Sequence, residues 1–178
     1  MHADFINYSR IHFSFLINSA PNTKSIYLVS HFLFKDANML LHTLLLELEQ
    51  QFSKRKQLPA HFCVQMDKGP ENSNRVTIAM MAVLVARCVF KSILITFSSN
   101  GHSHNDQDGV FSTVFGYLID QSIFTPQQLI DLINLSLSNN NSEGPHCHYV
   151  DMVVDFERFL DGCVVDFTRY SCFLYHVL

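Results

Sequence analysis

The sequence predicts an α/β fold, a mixed β-sheet flanked by helices. Three observations carry this. Short apolar strands alternate with helical stretches through the middle of the chain, which implies parallel pairing through crossovers. Two strand-like runs joined by the turn sequence "APNT" open the chain as a hairpin. The composition, 48% hydrophobic and 16% charged in 178 residues, can bury a sizeable core and is too poor in charge for a disordered chain.

The elements follow in order. "IHFSFLIN" (11–18) and "SIYLVSHFLF" (25–34) are rich in branched and aromatic residues and read as antiparallel strands. "DANMLLHTLLLELEQQFSKRK" has no Gly or Pro; Asp36 is an expected N-cap, Lys54, Arg55 and Lys56 suit the helix C-terminus, and Pro59 marks the end. "HFCVQM" (61–66) is an expected buried strand, and "DKGPENSN" a loop. "ENSNRVTIAMMAVLVAR" has the length and Ala and Met content of a mostly buried helix. "KSILITFS" (91–98) is the next strand and "SSNGHSHNDQD" the loop after it. "GVFSTVFGYLIDQ" places Val110, Phe111, Val114, Phe115 and Leu118 on one helical stripe. In "FTPQQLIDLINLSLS", Thr125 is an expected N-cap and Pro126 opens the helix. "NNNSEG" is a linker, and the tail reads as short strands around one helical turn at "DFERFLD". The expected organisation is one domain over 1–138, followed by a linker and tail over 139–178.

Charge and cysteines narrow the function classes. The net charge of -4 gives no overall basic surface for nucleic acid, although an acidic catalytic site is compatible with it. The five cysteines are odd in number and lack zinc-knuckle spacing, so they are expected to be reduced, buried thiols of an intracellular protein. No apolar run reaches the ~20 residues a bilayer span needs, and no signal peptide is read.

The chemistry-bearing residues fall in two places. Asp67 and "ENSN" (Glu71, Asn72, Asn74) follow one expected strand; His102, His104, Asp106 and Asp108 follow the next. In open α/β sheets, sites form at the carboxyl ends of strands, so the two stretches are expected at one edge. Carboxylates with water suit Mg²⁺ or Mn²⁺, and two such ions can clamp a phosphoryl oxygen during displacement. The alternative is plain structure: Asp106 as a helix cap and the histidines as hydrogen-bonded loop residues. A zinc hydrolase on "HSHNDQD" is a third reading, and it needs a further ligand such as His61.

The stretch from Leu58 to about Tyr117 resembles a family of uncharacterised, transposon-derived domains of eukaryotic genomes. Their pattern is a strand ending in Asp, "ENKN"-like residues opening a helix, then a strand and "GHTHEDID" with a phenylalanine. Here it stands as Asp67, Glu71, Asn72 and Asn74, then Gly101, His102, His104, Asp106, Asp108 and Phe111. "VVDFERFLD" is similar to the family's tail motif, and the likeness is weak before Leu58. The resemblance implies an RNase H-like fold of the transposase and integrase kind. It implies Asp67 as one catalytic acid and Asp106 or Asp108 as another, with Asp67 and Asp108 as ligands of Mg²⁺ or Mn²⁺ and His102 and His104 as further ligands or as phosphate contacts. It also implies DNA as partner and a nuclear location. Three departures stand out. Asn105 replaces a glutamate, Ser73 replaces a lysine, and the family's first strand with its acid has no counterpart in the sequence. The expectation is therefore an N-terminally truncated, inactive copy, or a non-catalytic interaction domain on the same fold.

Overall fold

The computed structural model describes residues 12–18, 23–30, 33, 36–67, 69–70, 72–98, 106–138 and 146–161, with backbone only for 12–18, 23, 24, 67, 98, 106–108 and 146. These form a mixed α/β structure of five strands and five helices. They divide into two compact units, each discontinuous in sequence: 1–34 with 104–152, and 35–103 with 153–178.

The first unit is built on a three-stranded sheet. Strands β1 (His12–Asn18) and β2 (Thr23–Val29) form the expected antiparallel hairpin, His12 opposite Val29 and Asn18 opposite Thr23. Strand β5 (His146–Val150) lies parallel to β2 on its other side. Being central, β2 is buried throughout from Ser25 to Val29. It is shorter than its apolar run, because the backbone turns at Ser30, whose carbonyl accepts from Leu33 N at 3.0 Å.

Helices α3 (Asp106–Leu118) and α4 (Pro126–Leu137) complete this unit. Thr125 caps α4 as expected. Its Oγ1 accepts from Gln128 N at 3.1 Å, while Gln128 Oε1 accepts from Thr125 N at 3.2 Å. The core joins Ile26 and Leu28 of β2, Val110, Val114 and Leu118 of α3, Leu129, Ile133 and Leu137 of α4, and Cys147. The buried stripe of α3 is thus every fourth residue. Phe115, expected on it, is exposed and stacks on Phe111 at 5.7 Å instead.

The second unit holds β3 (His61–Asp67) and β4 (Ser92–Ser98), paired in parallel and in register. Helix α2 (Arg75–Ala86) is the crossover between them and packs on β4. Helix α1 (Ala37–Arg55) begins where expected, with Asp36 Oδ1 accepting from Met39 N at 3.1 Å. It ends at Lys56, in the left-handed region at φ 60°, whose N–H reaches Phe52 O at 2.7 Å. A four-residue helix, α5 (Phe156–Phe159), packs against both α1 and α2.

Three expectations are corrected. Among the described residues the strands form two sheets, β1-β2-β5 and β3-β4, rather than one. Strand β3 is not buried: His61, Cys63 and Gln65 alternate outward, while Met66 is buried on the other face. A strand paired on one side, among the described residues, shows the period-two pattern of a half-covered surface. The thiols also divide, since Cys147 is buried but Cys63 and Cys88 are exposed. Among the described residues no helix is long and apolar enough to cross a membrane.

Candidate functional site

The expected site residues separate between the units. Asp67 closes β3 and pairs with Ser98, the last residue of β4. The carboxyl ends of both parallel strands therefore coincide. Asp106 and Asp108 do not belong to a loop: they are the first and third residues of α3. Acidic residues in a first turn suit the positive end of the helix dipole, which is one reason "DQD" can open a helix rather than precede it. Glu71, His102 and His104 lie outside the described residues. Asp67, Asp106 and Asp108 are described in backbone only. Among the described residues no three His, Cys, Asp or Glu side chains gather so as to hold a metal ion.

Asn72 and Asn74 are engaged in folding. Asn74 caps α2, its Oδ1 accepting from Thr77 N at 3.0 Å, and its Nδ2 donates to Pro70 O at 3.1 Å. The N–H groups of Asn72 and Ser73 both reach Gly69 O, at 3.1 and 2.8 Å. One side chain thus starts the helix and holds the turn after β3. Ser73, where the resemblance expects lysine, is exposed in that turn.

His61 is placed away from the carboxyl edge. It opens β3, and its Nδ1 lies 2.8 Å from Ser92 Oγ. A seven-residue strand spans about 20 Å. His61, the further ligand considered for a zinc hydrolase, therefore stands at the opposite end of β3 from Asp67.

Sequence reasoning missed a cleft in the second unit. It has a volume of about 340 Å³ and is lined by Asp36, Asn38, Pro70, Asn74, Arg75 and Glu157, among others. Here the start of α1, the "ENSN" turn and the "DFERFLD" tail converge across more than a hundred residues of sequence. Asn38 Oδ1 accepts from Phe156 N at 2.8 Å and Glu157 N at 3.1 Å. Asp155 Oδ1 takes Arg158 N at 2.9 Å. Arg75 pairs with Glu157 at 3.6 Å, both well exposed, a contact worth about 0–1 kcal/mol. Asn38 Nδ2 also donates to Asp36 Oδ2 at 3.4 Å, but the backbone groups its Oδ1 accepts from lie far along the chain and leave no local signal in the sequence.

Among the described residues one thiol has a shifted pKa. Burial pushes Cys147 up from 9.0 to about 12, since the apolar core disfavours the thiolate. That makes it a packing residue rather than a nucleophile.

Comparison with known proteins gives a family and no more. The model of the family described as domain of unknown function DUF7869 matches residues 8–176. No curated protein and no solved structure matches the chain.

Proposed function

The chain belongs to that family of domains of unknown function, and from this premise we propose that it is an RNase H-like, transposase- or integrase-type domain, related to metal-dependent phosphoryl transfer on DNA, in a copy with an incomplete acid set. The supporting observation is the coincident carboxyl edge of β3 and β4. A carboxylate-bearing residue, Asp67, ends one strand opposite Ser98, the last residue of the other, and His102 follows four positions later in the sequence. Parallel α/β sheets place their chemistry at this edge. The donor types also fit. Asp67, Asp106 and Asp108 supply hard oxygens, and His102 and His104 supply imidazoles, a combination suited to Mn²⁺ or Mg²⁺. A divalent ion bound there would neutralise charge on a phosphate oxygen. Asn105 stands where the resembled family has glutamate. A neutral carboxamide gives the segment one negative charge fewer, which weakens cation binding and leaves DNA cleavage absent.

The test is the free Mn²⁺ signal in electron paramagnetic resonance, with wild type and Asn105→Glu. Weak binding by the wild type and tighter binding by Asn105→Glu is the expected result, with no nicking of supercoiled plasmid by the wild type. If both proteins leave the free Mn²⁺ signal unchanged, the proposal is wrong.

A non-catalytic interaction domain on the same fold is the second reading. The observation that favours it is that Asn74 is engaged as a cap and turn tie. Part of the motif is thereby explained by folding, without chemistry. DNA binding that persists in EDTA, without cleavage, would favour it.

A further inference from the structure

We draw no further inference here: the strongest candidate, the exposed apolar surface of α3 and the residue that follows it, where Phe115 and Ile119 are 47% and 81% exposed, carries nothing because the structure does not show what covers it.

Discussion

Asn38 on α1 holds Phe156 on α5: its Oδ1 lies 2.8 Å from the Phe156 backbone nitrogen, across 118 residues of sequence. The same oxygen takes the N–H of Glu157. A single carboxamide therefore takes the first two N–H groups of α5, the first of which also reaches Val154 O at 3.1 Å, and ties the tail motif to α1.

Asn38→Ala removes the acceptor and leaves those donors without it. The expected loss of stability is about 0.5–1.5 kcal/mol in urea denaturation, because Phe156 N keeps Val154 O and the Glu157 N–H is open to water. Asn38→Asp keeps an acceptor oxygen but sets a carboxylate against that of Asp36, to which Asn38 Nδ2 donates at 3.4 Å, and should recover only part of the loss at neutral pH. Equal stability of the alanine variant and the wild type would mean the tail is not docked this way.

Asn74→Ala should cost about 1 kcal/mol, the usual value of an N-cap, and Asn74→Ser should recover most of it. The informative readout is Mn²⁺ affinity. A cap that only shapes the α2 start predicts unchanged affinity in Asn74→Ser. Loss of binding in that well-folded variant would make Asn74 part of the metal chemistry.

The local elements were legible in the sequence where side chains bond to their own backbone neighbours. Asp36 starting α1 and Thr125 with Pro126 starting α4 are such cases, because a cap is a short-range signal. The β3–α2–β4 crossover was legible for a similar reason, since alternation of strand and helix implies it. What failed depends on distant partners. Cys63 sits in an apolar run yet is exposed, because it lies on the exposed face of β3 and the sequence does not say which face that is. Phe115 shares a stripe with Val114 and Leu118 in a helical projection, but α4 covers only part of that arc. The start of α3 at Asp106 was hidden because "DQD" is equally good as a loop and as a first turn. As for the candidate site, the sequence singled out its residues, but the structure describes only Asn72 and Asn74 among them with side chains.

Cys147 makes a prediction about pH. Its thiol keeps its proton in the folded state up to about pH 12, whereas the unfolded chain releases it near 9.0. Its contribution is therefore complete below about pH 9 and is lost as pH rises toward 12. The stability difference between wild type and Cys147→Ala should shrink between pH 8 and pH 10.5. At pH 8, thiol labelling mapped by mass spectrometry should modify the exposed Cys63 and Cys88 and spare Cys147 until denaturant is added. Prompt labelling of Cys147 in the native protein would contradict its burial.

The most direct test of the central claim is calorimetric titration of Mn²⁺ into wild type, Asp67→Asn and Asp108→Asn, each checked for native circular dichroism. The carboxylates are proposed ligands, and loss of even a supporting group around a metal commonly costs 10–100-fold in affinity. Each substitution should therefore weaken Mn²⁺ binding by roughly tenfold or more. Equal affinity in all three proteins, or no binding by the wild type, would contradict the metal-dependent reading.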